Sequence, residues 1–522
     1  MSGTFRPTPP ADPQSTSPTA ETPSQSAGAT GIASHSEATP QPTPGESQPA
    51  VQARTSQKGT WQQSPITLWA CVAITIMWVT WGYFKLRPRG RAISASGHLE
   101  HYHAWAYAHL AYSDVAWLYQ EHHLFNHALP YVNVQIQYPV VMGIYMWLAA
   151  WFQGVGPYFL VSAIGLGACA VGTLLILRQL TPKYYYLFAL TPLLLVYSLL
   201  NWDLLGIVCM VAGWYTYRRH KYARSGIMFS LGVFAKLFPA FLLFFALLEL
   251  WRDGEKQSAK RLFTWFAGIS LLINLPFAVA NPINWGEFYG YNATRSGSSG
   301  LLFKLHLAGY LGVSGEDAVD FLLLAAALVI FSMLVYRHRL PVASGAAGLF
   351  AVFLVVNKVY SPQYTLWMFL FAIIAEWPAW TAWLLAAGGL IDYYNSFTIL
   401  FLASDHSPSF AWYFHHIFPL GSDARYATLI ATLVVGIRRR LSSGKHIPAP
   451  AATSHPGQAT SDPDSRITPT CQEPASVNMP VIKRTSGISG TSHLTSSDAA
   501  APAGKDIKEI ADASSAAIGA NL

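Results

Sequence analysis

Charge is the scarcest feature of this 522-residue chain, with Asp, Glu, Lys and Arg making up only 11% of it. A soluble protein carries roughly a quarter, and a globule of this length has too much surface to cover with so few ions. Cysteine is almost as scarce. Cys71, Cys169 and Cys209 fall inside apolar runs, Cys471 sits in a polar stretch, and no CxxC is present. That excludes an extracellular disulfide framework and leaves the three apolar cysteines as small fillers. A basic block on a polar domain is missing too, so the net charge of +7 carries no nucleic-acid footprint. The first 60 residues lack an apolar core of the signal-peptide kind, so no cleavable leader is expected.

The residues that are present point one way. The chain is 52% hydrophobic and 14% aromatic, which rules out disorder for its middle. Residues 1–60 hold Phe5 as their single aromatic, and 442–522 hold no Phe, Trp or Tyr. Neither stretch can bury enough apolar area to offset chain entropy, so both are expected to be disordered cytoplasmic tails. All 18 tryptophans lie between Trp61 and Trp412, which places the folded body at about 61–441.

Within that body, apolar runs recur between short charged punctuation. A helix of about 20 apolar residues spans a bilayer. The expected spans are 65–85, 158–178, 184–200, 204–218, 225–237, 239–250, 262–280, 318–336, 342–357, 363–376, 379–400 and 424–437. The fold class is therefore an all-α, polytopic membrane bundle of about twelve segments. At Lys236-Leu237-Phe238-Pro239 a charge and a proline interrupt an apolar run. Proline removes a helical hydrogen bond, and a lysine in lipid is costly, so a break facing water or an anion is expected there.

Lys and Arg set the orientation. Arg178 and Lys183, then Arg218 to Arg224, Arg252 to Arg261, Arg337 and Arg339, and Arg438 to Arg440 form successive basic turns. A cytoplasmic N-terminus puts all of them inside, provided that 139–152 does not cross. That run is short for a span and is expected to lie at the outer interface. Lys85, Arg87, Arg89 and Arg91 then fall outside, against the rule. Polar connections gather on the outer side. They are a long loop at about 86–157, Asn201-Trp202-Asp203, a loop at about 281–316, the segment Asn357–Tyr364 and a loop at about 401–423.

Chemistry is expected in the first of these loops. Asp114 and Glu121 stand seven residues apart, on one face of a helix. A carboxylate at the membrane surface can take a proton from an attacking hydroxyl, although a loop charge or a helix-start aspartate fits the same pattern. His101-x-His103, or His122-His123 with Glu121, has zinc-capable side chains, but no HExxH or Cys/His framework accompanies them. No metal or other cofactor is expected.

The stretch Tyr112-Ser113-Asp114-Val115, followed by Pro130-Tyr131 and Gln137-Tyr138-Pro139-Val140-Val141, resembles the first loop of the GT-C superfamily of polyprenyl-phosphate-dependent glycosyltransferases. The pattern is nearest to actinobacterial membrane proteins of glycosyltransferase family 87. Asn201-Trp202-Asp203, Lys236-Leu237-Phe238-Pro239 and Asn357-Lys358-Val359-Tyr360-Ser361-Pro362-Gln363-Tyr364 continue the match in order, over about 61–441.

The resemblance implies a sugar, of the mannose type, moved from a polyprenyl-phosphate donor to a cell-envelope lipid or glycan on the outer face. It implies Asp114 as general base. The acidic residue that such relatives often carry before Tyr-Pro is Gln137 here, so a second carboxylate, if one is used, falls to Asp203. Without a metal, fixed cations must meet the charge on the leaving phosphate. Lys236 and Lys358 are the candidates, with Asn357 and Gln363 as hydrogen-bond donors, and Arg295 and Lys304 as lesser cations. Tyr138, Gln137, Asn201, Asp203 and Glu121 are candidates for substrate binding. Partners are then the donor, the acceptor and the lipid bilayer. Two other classes fit the composition: a transporter or lipid flippase, for which paired broken helices are expected and one break is seen, and a non-catalytic envelope protein of the same fold.

Overall fold

A computed structural model describes residues 64–294, 301, 310 and 313–443. Nearly all of the two expected tails lie outside the described residues, as do Arg295, Lys304 and Cys471. The described chain is helical, apart from short 3-10 turns and isolated bridges such as Ile93 with Leu99.

In chain order the helices are α1 (Pro65–Leu86), α2 (Tyr102–Ala108), α3 (Asp114–Glu121), α4 (Val140–Ala149), α5 (Val155–Leu180) and α6 (Tyr185–Leu190). Next come α7 (Leu193–Tyr197), α8 (Asp203–Arg218), α9 (Tyr222–Val233), α10 (Pro239–Arg252), α11 (Lys256–Ala280) and α12 (Pro282–Thr294). The last group is α13 (Val313–Tyr336), α14 (Val342–Val356), α15 (Tyr364–Ile374), α16 (Ala379–Ser404), α17 (Phe410–His416) and α18 (Phe418–Ser443).

Local chemistry explains the boundaries. Ser64 caps α1 by accepting from the Ile66 amide, and Pro65 occupies the first turn, where its missing N–H costs nothing. The helix ends at Leu86 because Arg87 precedes Pro88 and is held extended. Pro239 opens α10 after the break at Lys236. The segment expected as one span at 184–200 is instead two short helices, α6 and α7. Thr191 is extended before Pro192, which cannot continue the helical ladder. Each of the other expected segments contains a helix.

α1, α5, α11, α13 and the stretch from Phe410 to Ser442 are each long and apolar enough to cross a bilayer alone, so the protein is a multi-pass membrane protein. The run at 139–152 holds α4, ten residues long. At 1.5 Å per residue that is about 15 Å, half of a hydrocarbon core. α14 and α15 are apolar on all sides and almost wholly buried, as an interior helix must be. α11 and α13 instead expose Leu272, Val279, Phe321 and Val329, side chains suited to lipid.

Glycines let the bundle close tightly. A Cβ on Gly226 of α9 would collide with the Leu262 carbonyl of α11, and one on Gly213 of α8 would press on the Phe229 ring at 3.0 Å. The connections before α3, α8, α10 and α15 are thereby brought to one end of the bundle, together with α12, where they enclose a cavity. Lys85 turns toward this end, donates to the Leu110 carbonyl and lies 5.4 Å from the Tyr393 ring centroid.

Candidate active site

The site begins where α3 begins. The Asp114 amide donates to the Leu200 carbonyl at 2.8 Å, and the Ser113 hydroxyl donates to the Leu199 carbonyl at 2.5 Å. The Tyr102 hydroxyl donates to the Ser113 carbonyl and accepts from its amide. These bonds stitch the first loop to the segment ahead of α8, and the Asp114 carboxylate meets the Asn201 side chain as a result.

Asn201 organises the centre. Its Nδ2 donates to Asp114 Oδ2 at 2.7 Å and to the Tyr138 hydroxyl at 2.8 Å. Its Oδ1 accepts from the Trp202 amide at 2.7 Å, which fixes the amide's orientation. Tyr138 donates in turn to Asp114 Oδ2 at 3.4 Å. Asp114 is only 2% exposed. Burial pushes its carboxyl up to about 7, partly offset by the hydrogen bonds of Asn201 and Tyr112 and by the nearby Lys236 charge.

A second buried group adjoins the first. Lys236, in the break between α9 and α10, places its Nζ 2.6 Å from Asp203 Oδ1, and the Trp367 indole N–H donates to the same oxygen at 2.6 Å. Gly206 lies against the Trp367 ring, leaving no room for a side chain there.

The cavity above this floor has a volume of about 690 Å³. Asp114, Tyr138, Asn201, Lys236 and Gln363 all line it. Glu121 and Gln137 line it too, and both are exposed. The seven-residue spacing of Asp114 and Glu121 along α3 does put both on the cavity face.

Three expected site residues lie off its wall. Asp203 is fully buried behind Lys236. Lys358 turns away toward Asp317, 3.2 Å distant, and donates to the Ala293 carbonyl at 3.4 Å. Asn357 spends its amide on the Val359 carbonyl, closing the turn after α14. The reason for the last two is local: residues 357 and 358 leave α14 before the chain bends back to the cavity at Ser361.

Other lining residues were not singled out from the sequence. α12, expected as loop, presents Asn284, Glu287 and Tyr291 to the cavity. Their spacing of three and seven residues is a helical face that the sequence carried. Asn281 and Asn284 both donate to the Val132 carbonyl, at 3.2 and 3.0 Å, and so tie α12 to the loop holding Asn133 and Gln135. Tyr112 and Tyr364 also line the cavity; both belong to the family-like motifs, without a role attached there.

Several first-loop histidines pack against aromatic rings. His103 packs on Trp117 at 4.0 Å between centroids, and His98 on Phe125 at 5.0 Å. Burial pulls His122 down to about 4, so it is neutral near pH 7. Among the described residues, no group of three His, Cys, Asp or Glu side chains is placed to hold a metal ion.

Chemically, the arrangement joins an acid able to ionise near neutrality, an ammonium steadied by a carboxylate, and a polar chamber large enough for sugar rings. Residues 136–362 match the family model described as Glycosyltransferase family 87. No curated protein and no solved structure matches the chain. The matched segment includes Tyr138, Asn201, Lys236 and the α12 wall, while Asp114 lies upstream of it. Residues 136–362 thus form a glycosyltransferase family 87 domain, and family 87 is a GT-C family of membrane glycosyltransferases.

Proposed function

We propose that the protein moves a sugar from a polyprenyl-phosphate donor to a hydroxyl of a cell-envelope lipid or glycan, with Asp114 as the general base. The observation that carries this reading is the buried Asp114 carboxyl, raised to about 7 at the floor of a 690 Å³ cavity. A base is most useful when its pKa lies near the working pH.

The acceptor oxygen attacks the anomeric carbon and gives its proton to Asp114. The bond from that carbon to the phosphate oxygen breaks, and its electron pair leaves on the polyprenyl phosphate. Lys236 meets the new charge. Its ammonium has three N–H donors, and the bond to Asp203 leaves others for the phosphate. Gln363 and Ser361 line the cavity on the same side and are suited to donate hydrogen bonds. The sugar is assigned as mannose on the sequence resemblance.

Another part of the cavity lining is suited to the acceptor. Glu121 and Glu287 line the cavity with Asn133, Gln135 and the ring of Trp117. Carboxylates and amides accept and donate to sugar hydroxyls, and an indole covers the apolar face of a ring.

The reading also puts the site outside the cell. α8 and α10 run from the cavity end to the basic turns near Arg218 and Arg252, and α9 runs back from Tyr222 to the cavity. Lys and Arg favour the cytoplasmic side, so the cavity faces away from it and both tails face the cytoplasm.

Membranes containing the wild type or Asp114→Asn, supplied with radiolabelled polyprenyl-phosphate sugars, test the proposal. Labelled product is expected from the wild type and a loss of about 100-fold or more from the variant. Equal transfer by both would remove Asp114 from its role.

A further inference from the structure

Two charges in the apolar C-terminal helices stand apart from the cavity. Asp392 is the one charged residue of α16, and Arg425 lies in the first third of α18. They are 1% and 3% exposed, and Arg425 Nη1 donates to Asp392 Oδ1 at 2.9 Å. Both lie beyond the end of the family match at residue 362.

A buried ion pair is a poor device for stability. Desolvating both ions offsets most of their attraction, and well-packed apolar replacements are often neutral or stabilising. The pair therefore invites a second explanation, and the guanidinium's surroundings supply one. Arg425 lies over the Tyr360 ring at 4.1 Å and over Tyr426 at 4.7 Å, and its Nη1 also reaches the Tyr360 carbonyl at 3.4 Å. The Tyr360 hydroxyl shares a 3.0 Å hydrogen bond with Thr365. Tyr360 is thus gripped on its ring face, its carbonyl and its hydroxyl.

That grip matters because Tyr360 stands directly before the cavity wall. Residues 357–363 form the non-helical link between α14 and α15, so no helical ladder sets their position. Ser361, Gln363 and Tyr364 come next in sequence and line the cavity, and the Tyr364 ring centroid lies 5.2 Å from Lys236 Nζ.

We propose that Arg425, held by Asp392, is a positioning residue that sets the Ser361–Tyr364 wall of the active site from outside the family 87 segment. A lysine cannot substitute, because it lacks the plane that stacks on Tyr360 while reaching two acceptors. The proposal rests on the glycosyl-transfer reading for its kinetic consequence, not for its geometric one.

The test pairs an apolar double variant, Asp392→Leu with Arg425→Met, with the single variant Arg425→Lys. The double variant is expected to melt at or above the wild-type temperature while its kcat with a polyprenyl-phosphate sugar falls about 100-fold, the scale of a displacement near 1 Å. Arg425→Lys is expected to lose kcat in the same way and serves if the double variant does not fold. A second readout needs no turnover. In a background without the native cysteines, Ser361→Cys is labelled with a hydrophilic thiol reagent, with and without the double variant, and a several-fold change in rate is expected. Wild-type kcat in either folded variant, or the same labelling rate in both backgrounds, would overturn the proposal. Absence of donor turnover in the wild type would count against glycosyl transfer, and the labelling arm would still decide the role of Arg425.

Discussion

Lys236 and Asp203 meet at 2.6 Å with the carboxylate fully buried and the ammonium at the cavity edge. The pair joins the fold and the proposed chemistry, so a variant at either position changes both. Lys236→Ala leaves the fully buried Asp203 without its ion-pair partner, and breaking a buried pair from one side costs about 3–5 kcal/mol. The single variant is expected to melt early, as read by a thermal unfolding assay in detergent. Lys236→Met combined with Asp203→Asn removes both charges and should recover most of that stability without recovering transfer. A double variant that transfers sugar at the wild-type rate would take Lys236 out of the phosphate's environment.

The raised Asp114 carboxyl predicts a pH profile with a definite sign. A general base works when deprotonated, so kcat/KM should be small below the pKa, rise with pH through about 7, and level off above it. Asn201 hydrogen-bonds the ionised form, and that bond holds the pKa down. Asn201→Ala should therefore move the inflection to higher pH. A profile unchanged by this variant would mean that another group titrates.

Glu287 and Glu121 line the cavity from α12 and α3. If they accept hydrogen bonds from the acceptor's hydroxyls, Glu287→Ala should raise the acceptor KM about tenfold, the value of one charge-assisted bond near 1.4 kcal/mol. Steady-state transfer at varied acceptor concentration checks this, and an unmoved KM would remove Glu287 from acceptor binding.

Helix packing offers a test away from the cavity. A methyl group on Gly226 meets the Leu262 carbonyl and the Phe266 amide, both backbone atoms that cannot step aside. Gly226→Ala should push α9 from α11 and cost about 1–3 kcal/mol, seen as a lowered melting temperature. A variant as stable as the wild type would show that the two helices separate freely.

Sidedness is testable by thiol labelling of intact cells. Glu121→Cys in the cavity lining and Lys221→Cys in the exposed turn between α8 and α9 are expected to react from opposite sides. Reaction of both from one side would overturn the proposed orientation.

How much was legible in the sequence depends on the range of the interactions involved. Scarcity of charge and repeated apolar runs were enough for a multi-pass helical membrane protein, because lipid leaves an isolated segment little choice but a helix. Pro192 was visible in the run 184–200, yet the run's apolar character outweighed the break in a reading based on hydropathy. The break at Lys236 was legible because charge and proline coincide there. The motifs from Gln137 to Pro362 also carried the resemblance to family 87, whose model matches residues 136–362.

What the sequence by itself determined is composition, helix content and the family pattern, all of which depend on neighbours along the chain. Only the tertiary structure decided that Asn201 bridges Asp114 and Tyr138, that Asp203 lies behind Lys236, and that Lys358 turns to Asp317 instead of the cavity. It alone brought Arg425 over Tyr360, 65 residues away. The physical reason is that hydrogen bonds and ion pairs act over a few ångströms in space. Which side chains come that close depends on how the helices pack, and no local run of residues records it.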